Sequence, residues 1–67
     1  MIEKQLRADL AAYGLDMARY TCTVESGGGD PMAAAIFRDA AGREISVNPI
    51  WTSDDGTIIQ RGRPELA

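Results

Sequence analysis

Apolar positions recur along this chain with two different periods, and the change of period divides it. Ile2, Leu6, Leu10 and Tyr13 are spaced by four, four and three, which is one face of an α-helix. Ala8, Ala11 and Ala12 add helix propensity, and Glu3 and Arg7 are spaced to pair at i,i+4. Gly14 stands where a left-handed residue closes a helix, and Leu15 is placed to fold back on the last turn. The pattern predicts a helix over residues 2–13. From residue 19 to 25 the period falls to two: Tyr20, Cys22 and Val24 point one way, while Arg19, Thr21, Thr23 and Glu25 point the other. That is the mark of a half-buried strand.

Ser26-Gly27-Gly28-Gly29-Asp30-Pro31 then reads as a flexible connection, since three successive glycines favour mobility or positive φ. A second strand is predicted over 32–38. Its alanines weaken the signal and leave a short helix over 32–37 as the alternative. The residues that follow decide for the strand, because Asp39-Ala40-Ala41-Gly42-Arg43 fits a type I turn closed by a left-handed glycine. A return strand over 44–52 places Arg38 opposite Glu44, Phe37 opposite Ile45 and Ala35 opposite Val47. Charge then sorts with Ile36 and Ser46 onto the other face. Pro49 predicts a bulge, bend or edge in this strand. The same turn grammar recurs in Ser53-Asp54-Asp55-Gly56-Thr57 and predicts a last strand over 57–60, with Trp51 opposite Ile59 and Thr52 opposite Ile58. Residues 61–67 show no periodicity and read as a loose tail.

The fold class that follows is α+β, a single small domain over 1–67 in which an N-terminal amphipathic helix packs on a three- to four-stranded antiparallel β-meander. The predicted core is Leu6, Leu10, Tyr13, Tyr20, Cys22, Val24, Phe37, Ile45 and Val47, with Trp51 or Ile59 at its margin. Alternation turns either Ile58 or Ile59 away from that core, and Ile36 and Ile50 join the outer face.

Composition removes most chemistry. The chain has 67 residues, no histidine and one cysteine. An intramolecular disulfide, a structural zinc site and a Ser–His–Asp arrangement are all out of reach. Lys4, the one lysine, falls on the first helical turn, where a solvated side chain is expected. A carboxylate pair for glycoside hydrolysis is within the composition, but so small a domain offers little room for a deep cleft. Residues 26–30 are followed by Pro31 and alanines and not by the lysine and the serine or threonine of a phosphate loop. Asp54 and Asp55 are too few ligands for a calcium loop, and a turn favours them in any case. No enzymatic activity, cofactor or metal is expected. Cys22, mid-strand on the apolar side, reads as a small core residue.

Ten acidic against seven basic residues give a formal net charge of −3. This mild acidity does not favour non-specific contact with nucleic acid or anionic lipid. Charges interrupt the N-terminus at once, and no apolar run approaches the ~20 residues of a membrane span. With one unpaired cysteine, a cytoplasmic location is expected. A domain of about 60 residues buries only ~60 % of its unfolded surface, which leaves good local packing, or a partner through self-association or docking on a larger target, to supply the stability.

Arg61-Gly62-Arg63-Pro64 is similar to the core of an AT-hook. That resemblance implies arginines lying in the minor groove of A·T-rich DNA, although Gln60 and Glu65 replace the basic flanks of the motif. The order helix, strand, strand, strand with a glycine-rich loop resembles the front of a double-stranded-RNA-binding domain. The closing lysine-rich helix of that family is missing, and its function is not carried over.

The candidate partner-binding residues are Ile36, Trp51, Asp54, Asp55, Ile58, Arg61 and Arg63, since tryptophan, arginine and outward apolar residues make binding hot spots. The sequence points to a non-enzymatic module that docks on a larger protein or nucleoprotein complex. By analogy this is a phage or mobile-element inhibitor of a host defence complex, in the manner of an anti-CRISPR protein. One alternative is a nucleic-acid-binding accessory protein using Arg61, Arg63, Arg43 and Arg19. Another is a self-assembling structural subunit.

Overall fold

In the computed structural model, which describes residues 2–26 and 32–66, one helix lies on one side of an antiparallel sheet, an α+β arrangement. The glycine-run connection lies outside the described residues. Helix α1 (Ile2–Ala11) is followed by a 3-10 turn at Met17–Arg19 and by strands β1 (Thr21–Ser26), β2 (Met32–Arg38), β3 (Glu44–Thr52), β4 (Ile58–Arg61) and β5 (Glu65–Leu66). The first four strands form a meander in the order β1-β2-β3-β4, and β5 pairs with β3.

The helix closes two residues before the predicted end. The N–H groups of Ala12, Tyr13 and Gly14 donate to the carbonyls of Asp9, Leu10 and Ala11 at 3.2, 3.0 and 3.0 Å, tightening the last turn. Gly14 then takes the left-handed conformation at φ +85°. Tyr13 consequently swings off the apolar stripe and is 65 % exposed instead of lying in the core. Leu15 folds back onto the core margin.

The first strand begins at Thr21 and not at residue 19, because Met17–Arg19 wind into the 3-10 turn and bury Met17. Arg7 organises this turn. Its guanidinium donates to the carbonyls of Met17 (2.6 Å) and Tyr20 (2.9 Å), its Nε meets Glu3 at 2.8 Å, and it lies 5.5 Å from the centre of the Phe37 ring.

β1 and β2 pair without a break, with Cys22 opposite Phe37 and Val24 opposite Ala35. Val24 shares the helix side of the sheet, yet at the sheet edge it stays 41 % exposed and does not join the core as predicted. Between β2 and β3 the expected register holds at Arg38/Glu44, Phe37/Ile45, Ile36/Ser46 and Ala35/Val47. It then slips, and Ala33 faces Ile50 while Met32 faces Trp51. The extra residue in β3 falls at Asn48–Pro49, a cis peptide, where proline supplies no ladder N–H. One inserted residue exchanges the two faces of everything beyond it. Ile50, predicted for the outer face, is therefore completely buried, and Trp51 points outward.

A second slip occurs between β3 and β4. Thr52 faces Ile58 as predicted, but Trp51 faces Gln60. Ile59 is the residue left over, so the predicted Trp51/Ile59 pair does not form. The predicted loose tail is also ordered in part. After Gly62–Pro64 the chain rejoins β3, with Glu65 opposite Ser46 and Leu66 opposite Ile45, in the register that β4 began. The Gly62 N–H donates to the Pro49 carbonyl at 2.8 Å. A Cβ at Gly62 would overlap the Asn48 carbonyl, 2.9 Å from its carbon, so only glycine fits against the bulge.

The core is Leu6, Leu10 and Met17 against Ala33, Ala35, Phe37, Ile45, Val47 and Ile50. Tyr20, Cys22 and Ile58 are half-buried at its margin. Among the described residues no helix is long and apolar enough to cross a membrane.

Candidate binding surface

The bulge at Asn48–Pro49 shapes the side of the sheet opposite α1. It aims Trp51 outward, directly between Met32 on β2 and Gln60 on β4. Trp51 is 38 % exposed and Met32 36 %. Ile36, half-buried, lies on the same side in the regular part of β2, with Ser46 and then Glu65 beside it across the sheet. A hollow of about 300 Å³ is lined by Ala34, Ile36, Ser46 and Asn48 together with Glu25, Arg63 and Glu65.

Arg63 differs from every other arginine. Arg7, Arg19, Arg38, Arg43 and Arg61 each hold a carboxylate, respectively Glu3, Asp16, Glu44, Asp39 and Asp9. Arg63 has no ion pair among the described residues. It borders the hollow on one side and an apolar groove of about 510 Å³ on the other, between the end of α1 and β5, lined by Leu10, Tyr13, Leu15, Pro64 and Leu66.

The remaining candidate residues are elsewhere. Of the two neighbouring isoleucines, Ile58 packs on the core and Ile59 is 69 % exposed. Arg61 turns to the helix side, 3.2 Å from Asp9, and donates to the Gly62 carbonyl at 3.1 Å. The Tyr13 side chain, and after it Asp9, push its pKa further up. Asp54 and Asp55 sit at the tip of the β3–β4 turn. The Asp55 carboxylate accepts from the Ser53 hydroxyl and from the Thr57 N–H (2.9 Å), which together hold its pKa at about 2. These bonds complete a turn from within. Among the described residues no three histidine, cysteine, aspartate or glutamate side chains are grouped to hold a metal.

Cys22 is half-buried, and burial first, then the nearby Glu3, push its thiol pKa up against the opposing pull of Arg7. A thiol so placed is a poor nucleophile. Gln5 has a positioning role that the sequence did not announce. Its amide donates to the Gly56 carbonyl at 3.0 Å and accepts from the Ile58 N–H at 2.8 Å, fastening α1 to the β3–β4 hairpin. Met32 was also missed as a surface residue, although counting by twos from Ile36 along β2 reaches it.

Compared with family models, with curated proteins and with solved structures, the chain finds no match.

Proposed function

We propose that this chain is a non-enzymatic binding module that docks on a larger protein through the uncovered side of its sheet. One observation carries the reading: Trp51, turned outward opposite Met32, on the side of the sheet where Ile36 and Arg63, which has no ion pair among the described residues, line one hollow. Tryptophan, methionine and arginine are enriched at interface cores, and tryptophan and arginine dominate binding energy. A guanidinium suits bidentate contact with a carboxylate. The partner surface this fits is therefore an apolar side chain next to an acidic one. Without histidine, and with a half-buried thiol of raised pKa, the chain has few means of activating a substrate. A module of this kind acts by occupying a surface. Inhibition of a host complex by a mobile-element product is the biological form we put forward. Direct nucleic-acid binding is the weaker reading, because Arg61 is already held by Asp9 within a chain of net negative charge.

The test is affinity capture with identification by mass spectrometry, run in parallel with Trp51→Ala and Arg63→Glu. Both side chains are exposed, and circular dichroism verifies that the variants fold. A captured protein should bind each variant about ten-fold or more weakly. Identical capture by all three proteins overturns the proposal. A low-salt DNA mobility shift abolished by Arg63→Glu would replace it with the nucleic-acid reading.

A further inference from the structure

The two edges of the sheet are built on opposite plans. The β4–β5 edge carries the Ile59 bulge, the break at Gly62–Pro64, a proline without an N–H, and Arg61 and Arg63. Bulges, prolines and charges are the devices that keep a sheet edge from pairing with another chain. β1, at the far edge, has none of these devices except Glu25. All six of its residues face β2 with no register shift, and among the described residues no strand pairs with its other side. Thr21-Cys22-Thr23-Val24 is a strongly strand-forming run. Val24 adds an exposed apolar side chain on the helix side.

We propose that β1 pairs with the β1 of a second copy of this chain, antiparallel about a two-fold axis at Thr23, joining two sheets into one. Directly opposed residues in an antiparallel pair share a face, so a two-fold axis normal to the sheet passes through a residue position and not between two. With the axis at Thr23, the two threonines oppose each other on the open side, a favourable cross-strand pair. Cys22 then meets the second copy's Val24 on the helix side and covers it. Glu25, which has no ion pair among the described residues, comes opposite the second copy's Thr21. In each copy Thr21 is flanked on β2 by Arg38. An axis at Val24 would bring the two Glu25 carboxylates to diagonal positions, and an axis at Glu25 would set them face to face. Charge therefore rules out those two registers, and an axis at Cys22 or Thr21 would pair only three residues or one of β1, which leaves the Thr23 register. Because the β4–β5 edge is blocked, pairing closes at two copies and does not extend into a fibre. Association also supplies the stabilisation that so small a core otherwise lacks.

Sedimentation equilibrium and light scattering of the full chain, diluted from millimolar to micromolar, test the proposal. A dimer that dissociates on dilution is expected. Thr23→Lys places two like charges opposite each other at the axis and should weaken the dimer about ten-fold or more. Ile59→Lys, on the blocked edge, should leave it unchanged. As a check independent of lysine substitutions, Thr23→Cys in a Cys22→Ser background should cross-link into a covalent dimer on mild oxidation, and Ile59→Cys in that background should not. A monomer at every concentration, a dimer indifferent to Thr23→Lys, or a dimer that Thr23→Cys fails to cross-link would overturn it.

Discussion

The two hairpins that share β3 begin alike and end differently. In each, the first loop residue donates to the fifth residue's carbonyl, Asp39 to Arg43 at 3.1 Å and Ser53 to Thr57 at 2.9 Å. In each, a left-handed glycine donates to the first residue's carbonyl at 3.0 Å, Gly42 with φ +84° and Gly56 with φ +86°. Beyond the β2–β3 turn the ladder keeps its register as far as Ala35/Val47. Beyond the β3–β4 turn it slips within the first few residues. A turn therefore fixes only the pairs next to it, and the packing of the strands decides the rest. The regular pairing next to the first turn supplies Phe37, Ile45 and Val47 to the core, whereas the β2–β3 bulge at Asn48–Pro49 turns Trp51 to the surface and the break after β4 leaves Arg63 there. Regular pairing builds stability here, and its interruption builds the candidate site.

The largest effects should come from reversing that division. Phe37→Ala removes a fully buried ring from the regular hairpin and should cost about 3–5 kcal/mol. That is a large share of the ~0.05–0.15 kcal/mol per residue that a small domain holds. Ile50→Ala, just beyond the bulge, should cost about 2–5 kcal/mol, and Trp51→Ala clearly less. Urea denaturation of the three variants measures the order. An unbroken alternation through Pro49 would make Trp51→Ala the costly change and Ile50→Ala the mild one, so the experiment reads the bulge directly.

Gly62→Ala should follow at about 1–3 kcal/mol, since the new methyl overlaps the Asn48 carbonyl and must push β5 from β3. Amide exchange should quicken at the β3–β5 pairing around Ile45 and Ser46 and stay slow between β1 and β2. Gln5→Ala should cost about 1 kcal/mol, leaving the Ile58 N–H and the Gly56 carbonyl without their helix partner. Exchange should then quicken in the β3–β4 hairpin alone. Equal quickening in both hairpins would mean that Gln5 supports the whole fold and not the irregular half.

The parts legible in the sequence were those governed by local rules. The α1 stripe, the left-handed Gly14 and the register from Arg38/Glu44 to Ala35/Val47 all depend on residues close in the chain. What escaped depended on distant partners. Pro49 announced an interruption, but its outcome, an exchange of faces that buries Ile50, is set by the core that Leu6 and Leu10 bring from α1. Residues 65–66 carry no periodicity because a strand of two residues has none, and they are placed by β3. In the sequence Arg61 and Arg63 read as one basic motif. Only the fold separates them, by giving Arg61 to Asp9 across the helix–sheet junction.

The smallest effects should lie in the two turns, where the same backbone frame is held by different donors. Asp39 is enclosed by its own loop, and partial desolvation raises its pKa. The Arg43 N–H, the Arg43 guanidinium and the Ala41 N–H outweigh this and hold the carboxyl below its usual value. Asp55 is held down as well, at about 2, chiefly by the Ser53 hydroxyl and the Thr57 N–H, both neutral. Both folded-state values are depressed, so each carboxylate's contribution is fully present above the unfolded value near ~3.9 and fades as pH falls through the folded one. For Asp55 that window runs from about 4 to about 2. Salt separates the two turns, because screening weakens the Arg43 attraction but acts little on neutral donors. Carboxyl-carbon NMR titrations at low and high salt should show the Asp39 midpoint rising towards the ordinary value while the Asp55 midpoint stays near 2. An Asp55 midpoint in the ordinary carboxylate range would mean that the Ser53–Asp55–Thr57 bonds do not persist. The β3–β4 turn would then be the looser of the two, and the register slip behind it a consequence of that turn and not of strand packing.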